Sequence, residues 1–127
     1  MIVELVTFPS PPGKPREKLI EEAKATLPRW RANKELIRKH YMNDGNGHGA
    51  GLYIWPSREA AERAHDAAWQ AMVEQRTGAK PTFRYFDLLM LLDNEQGTVT
   101  EWPGRIGPCP SRRSERRART IGRTARA

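Results

Sequence analysis

Cysteine is almost missing from this chain. Cys109 stands alone, so no intrachain disulfide can form, and a reducing compartment is expected. Long apolar runs are missing too: no stretch approaches the ~20 residues that span a bilayer, which argues against a membrane protein. The N-terminus lacks a basic segment followed by an apolar one, so no signal peptide is expected and a cytoplasmic location is the default. Histidine is scarce. His40, His48 and His65 lack the close spacing of a helical ligand pair, so the expected metal content is none. Gly45, Gly47, Gly49 and Gly51 lead into a strand rather than from a strand into a helix. That is the wrong context for a dinucleotide site, and no bound cofactor is expected.

Negative charge is scarce in one region only. The net charge of +7 is uneven: residues 101–127 carry +6 and residues 1–100 carry +1. The body is nearly neutral, so association with nucleic acid is expected only weakly, through the Arg-rich end. After Asp93 the chain is interrupted by Gly97, Pro103, Gly104, Gly107, Pro108 and Pro110, and residues 98–127 carry no apolar stripe. Such a segment buries too little surface to offset its ordering entropy. The expected division is therefore a domain over residues 1–97 and a disordered, Arg-rich tail over 98–127.

What is present centres on residues 47–65. From Gly49 to Trp55 every residue is glycine, apolar or aromatic, so both faces of this strand should be covered. Pro56 ends it, and Ser57 can cap the helix that follows. Ahead of it, Ile2–Phe8 reads as a strand. Leu19, Ile20, Ala23 and Leu27 recur at helical spacing, and Pro28 interrupts that helix with Thr26 as the candidate cap. Residues 35–43 read as a second strand of undetermined facing, joined to the central strand by the turn Asp44-Gly-Asn-Gly47. A helix is predicted from about Arg58 to Arg76, with Ala61, Ala64, His65, Ala68 and Met72 as its inner stripe, ending at Thr77-Gly78. A fourth strand is predicted from about Thr82 to Leu92.

The order βαββαβ is the ferredoxin-like pattern of the α+β class: a four-stranded antiparallel sheet with two helices on one face. Two helices leave the other face open. Strands three and four are apolar on both sides, with Tyr53 and Trp55 opposite Leu52 and Ile54. The expected cover is a second copy of the chain, giving a homodimer.

Several stretches resemble the YdhR-like monooxygenases. They are Pro9–Gly13, Ala-Thr-Leu-Pro-Arg-Trp-Arg31, Leu-Ile-Arg-Lys-His-Tyr41, Gly-Ala-Gly-Leu-Tyr-Ile-Trp55 and Ser-Arg-Glu-Ala-Ala61. The resemblance covers roughly residues 1–95 and implies the dimeric α+β barrel superfamily, which also holds the antibiotic-biosynthesis monooxygenases. It further implies a cavity between helices and sheet, or within a dimer barrel. Cofactor-independent oxygenation of a small aromatic, quinol- or anthrone-type substrate would take place there. Such chemistry needs a base, a hydrogen-bond donor for the developing oxyanion, and aromatic walls. His40 and His65 are the candidate bases; Tyr41, Tyr53 and Arg84 are the candidate donors. Trp30, Trp55, Trp69 and Phe86 are the candidate substrate walls. Each has a plainer reading: His65 as a satisfied core histidine, the strand aromatics as core or interface, Arg84 as a surface charge. Two alternatives stand beside the enzyme: a non-catalytic dimeric module that binds a small hydrophobic ligand, and nucleic-acid association through the tail.

Overall fold

The computed structural model describes residues 1–103 and the backbone of a strand at 119–123. The elements run β1 (Ile2–Pro9), α1 (Arg16–Ala25), α2 (Leu27–Ala32), β2 (Arg38–Asn43), β3 (His48–Trp55), α3 (Arg58–Ala64), α4 (Ala67–Thr77), β4 (Thr82–Asp87), β5 (Met90–Asp93), β6 (Thr98–Glu101) and β7 (Arg119–Arg123). The first four strands form one antiparallel sheet in the order β2-β3-β1-β4. With the helices after β1 and β3, this is the ferredoxin-like α+β architecture.

Alternation along the two central strands sets the layers. Ile2, Glu4 and Val6 of β1, and Gly49, Gly51, Tyr53 and Trp55 of β3, are buried on the helix side. Val3, Leu5, Ala50, Leu52 and Ile54 face the other way and are half-buried. The aromatic side of β3 is therefore the helix side, and the open face is aliphatic. This reverses the expectation that Tyr53 and Trp55 need a second chain to bury them. Burying rings of this size contributes roughly 1.5–3 kcal/mol each, and the chain's own helices supply that cover.

The single helix predicted from Arg58 to Arg76 is broken at His65. Ser57 caps α3 by accepting from the Ala60 N–H, and Asp66 caps α4 by accepting from the Trp69 N–H. The second cap resets the helical phase. The buried positions become Ala60, Ala61, His65, Trp69 and Val73, while Ala68 and Met72 are exposed. Gly78 closes α4 in the left-handed conformation, as Thr77-Gly78 suggested. Thr26 joins α1 to α2, but its hydroxyl does not cap the second helix; it donates to the Ala23 carbonyl. The second strand starts at Arg38 rather than 35.

The predicted strand over residues 82–92 is two strands in two sheets. Ile2 and Asp87 form the last register pair of β1 with β4, and the Leu88 N–H reaches the Met1 carbonyl. Beyond that point the chain leaves the main sheet. β5 pairs with β6, and β6 with β7. The domain boundary expected at residue 97 thus falls in a hairpin turn, and residues 98–101 and 119–123 are strands rather than tail. Residues 104–118 and 124–127 lie outside the described residues. Among the described residues, no helix is long and apolar enough to cross a membrane.

Candidate active site

Alternating glycines make room on the helix side of β3. An added Cβ at Gly49 would meet the Phe8 ring at 2.4 Å, and one at Gly51 would meet the Tyr53 ring at 2.7 Å. Both rings pack directly against backbone that carries no side chain. The space released holds a cavity of about 400 Å³ between that end of the sheet and the helices. Its floor is Phe8, Lys39, Tyr41, Gly49, Gly51 and Tyr53. Its walls are Trp30 and Arg29 from α2 and Trp69, Met72 and Arg76 from α4. Arg16, Leu19, Ile20, Glu22 and Ala23 of α1 form the roof. Here the apolar stripe of α1 faces a void, so none of its residues is fully buried.

Lys39 is the central cation. Its Nζ lies 4.6 Å from the Trp30 ring centroid, 4.0 Å from Tyr41 and 4.7 Å from Tyr53. No ion pair joins Lys39, Arg29 or Arg76 to a carboxylate among the described residues. Burial, reinforced by the charges of Arg76 and Arg29, brings the Lys39 ammonium down to about 7. The two tyrosines differ. Thr26 spends its only proton on the Ala23 carbonyl, so the 2.8 Å contact between Thr26 and Tyr41 has Tyr41 donating. The Tyr53 hydroxyl has no such partner and is free to donate into the cavity. Burial, with the nearby Glu4 charge, raises the Tyr53 hydroxyl far above its ordinary range, so it stays protonated.

Behind the wall of Trp30, Tyr53 and Trp69 lies a closed polar cluster. Glu4 is fully buried, and its carboxylate accepts from Trp55 Nε1 at 2.9 Å. His65 Nδ1 donates to its Oε2 at 3.0 Å and lies 2.9 Å from its Oε1. Tyr85 joins from β4: burial first, then the charge and hydrogen bond of Glu4, keep its proton on. The His65 ring is enclosed by aromatics, tilted against Trp69 with centroids 4.2 Å apart and edge-on to Tyr53 at 4.6 Å. Its Nε2 is buried without a hydrogen-bond partner.

The sequence candidates therefore separate into three places. Trp30, Tyr41, Tyr53 and Trp69 line the cavity. His65 and Trp55 lie behind its wall, held to Glu4. His40, Arg84 and Phe86 are exposed on the opposite face of the sheet, with Arg84 over the Phe86 ring at 5.0 Å. His40 is on the edge strand β2, whereas Arg84 and Phe86 are on the other edge, β4. Sequence reasoning missed Lys39, Arg29, Arg76 and Glu4. Two signals were there: Lys39 shares the parity of Tyr41, and Glu4 shares that of Ile2 and Val6.

Solved structures share this ferredoxin-like architecture at low sequence identity. One similar structure is a monooxygenase from the gene ActVA-Orf6 of Streptomyces coelicolor, in complex with nanaomycin D. It is 18% identical over 72% of this chain and 89% of its own, with a TM-score of 0.54. Another is a structure described as an antibiotic biosynthesis monooxygenase, 14% identical over 70% of this chain and 99% of its own, with a TM-score of 0.51. No protein-family model and no curated protein matches the sequence. The likeness places the chain in a fold shared with monooxygenases.

Proposed function

We propose that this protein is a cofactor-independent, monooxygenase-like enzyme that oxidises a small anthrone- or quinol-type aromatic molecule in the cavity beside Lys39. The observation that carries the reading is the cavity itself: about 400 Å³, walled by Trp30, Trp69 and Tyr53 and supplied with cations and a free Tyr53 hydroxyl. Flat aromatic walls match a planar ring system, and the cations match the charge that develops when its acidic proton leaves. For an anthrone the reaction balances without a cofactor. The substrate methylene becomes a carbonyl with one oxygen atom of O₂, the other oxygen leaves as water, and all four electrons come from the substrate. The S. coelicolor monooxygenase, crystallised with nanaomycin D, lends support by fold alone.

Oxygen uptake tests this reading. The full chain, treated with chelator and supplied with an anthrone, is expected to consume one O₂ per molecule and form the quinone. Tight binding without uptake would replace it with a non-catalytic binding module. Uptake only after addition of flavin or iron would overturn cofactor independence.

The active species proposed is a homodimer joined through the open face of the main sheet. Val3, Leu5, Leu52 and Ile54 on that face, with Phe86 at 45% and Met42 at 43% exposure, support this. Light scattering at micromolar concentration is expected to give twice the mass of 14.5 kDa, and Leu52→Arg to give the monomer. A monomeric parent chain would refute the assembly.

A further inference from the structure

We propose that Lys39 is the general base of this cavity: its neutral amine takes the proton of an aromatic hydroxyl, and the phenolate is then held beside the Lys39 ammonium by Arg29 and Arg76. The proposal rests on the cavity reading above but not on the oxidation assigned to it. The proton transfer balances by itself: the O–H bond breaks, an N–H bond forms, and one anion and one cation result.

Charge is the first argument. Around Lys39, α1 contributes Arg16 and Glu22, α2 contributes Arg29, α4 contributes Arg76, and the strands contribute Tyr41 and Tyr53. The one carboxylate in that set, Glu22, is engaged by Lys14 at 2.8 Å. The cavity lining therefore carries four cations, Arg16, Arg29, Lys39 and Arg76, against the single carboxylate of Glu22, and an anionic ligand would offset that surplus. Position is the second argument. Three ring faces surround the Lys39 Nζ at 4.0–4.7 Å. They hold an ammonium in place once it forms, while burial and the neighbouring arginines favour the neutral amine when the cavity is empty. A phenolate reverses that balance, because its negative charge favours the ammonium. The same amine is thus set to be neutral before the substrate arrives and protonated after. The third argument is elimination by place: among the described residues, neither His40 nor His65 lines the cavity.

The test uses 2-naphthol, whose anion absorbs at longer wavelength than its neutral form, without oxygen and at about pH 8.5, which is one unit below the probe's own pKa and above the value near 7 at which Lys39 loses its proton. The full chain is expected to bind it as the phenolate with no net release of protons to a weakly buffered solution, since Lys39 keeps the proton. Lys39→Arg is expected to bind the phenolate but release about one proton per bound probe, because a guanidinium is already charged. Lys39→Met is expected to lower the ratio of bound phenolate to bound phenol at least tenfold, which is about one pKa unit. Unchanged thermal melting of Lys39→Arg establishes that this variant is folded. The proposal is overturned if the parent chain binds neutral phenol, releases a proton as Lys39→Arg does, or binds no probe. Phenolate formation without oxygen uptake would leave Lys39 as the base and remove the monooxygenase reading instead.

Discussion

Two ionisable groups sit on either side of one aromatic wall, and they are treated in opposite ways. Glu4 is sealed in the core, and its carboxylate has Trp55 and His65 as direct hydrogen-bond partners. Lys39 stands on the other side of Trp30 and Tyr53, faces a void, and has ring faces against it and no carboxylate paired with it among the described residues. A buried charge with dedicated partners is compatible with structure alone. A half-buried amine without an anion costs the fold stability, and the cavity gives that cost a use. The contrast moves attention from the histidine with a carboxylate to the lysine without one.

The severest challenge to this contrast is Glu4→Ala. It leaves the Trp55 and His65 N–H groups buried without acceptors, and the expected loss is about 3–5 kcal/mol of stability. Urea unfolding measures it; a loss as small as that of a surface substitution would show that the cluster is not structural.

Lys39→Met probes the other side. Turnover of an anthrone is expected to fall roughly 10²–10⁴-fold, the usual contribution of a general base. Stability should move the opposite way. Lys39 titrates near 7 in the folded chain against a usual 10.5, so between those values the unfolded chain binds more protons and stability rises with pH. The variant removes the buried ammonium, so it is expected to be more stable than the parent at pH 6, with the advantage shrinking as pH rises from 7 to 10.5. Thermal melts at pH 6, 8 and 10 give the sign directly. An advantage that grows with pH would contradict the assigned protonation.

Gly51→Ala sharpens the contrast geometrically. Its Cβ would stand 2.7 Å from the Tyr53 ring, which forms part of both the wall and the cavity floor. The ring must shift, at about 1–3 kcal/mol. The phenol affinity is expected to fall with stability, because one ring serves both sides. The smallest effect belongs to His40→Ala. That side chain lies outside the cavity, so anthrone turnover should stay at the parent level.

Local chemistry made much of the fold legible. The turn at residues 44–47, the Ser57 cap and the Gly78 stop each depend on a few adjacent residues, and each stands where the pattern put it. So do the four strands of the main sheet and the helical stretches between them, because hydrophobic periodicity survives without knowledge of partners. The cavity was half legible. Trp30, Tyr41, Tyr53 and Trp69 are large and carry recognisable chemistry, whereas Lys39 reads on paper as an ordinary strand lysine. Neither the break at His65 nor the division of residues 82–92 between two sheets could be read locally. One depends on the Asp66 side chain capping a new helix, and the other on where the register of β1 with β4 ends.

The sequence by itself determined the four strands of the main sheet, the helical stretches between them and the α+β class, because those follow from interactions a few residues apart. Only the tertiary structure decided which face of each strand meets the helices. Facing has a period of two, and a shift of one residue exchanges the faces without changing the composition of the strand. That single choice put Tyr53 and Trp55 inside, His40 outside, Glu4 against His65, and Lys39 in the cavity.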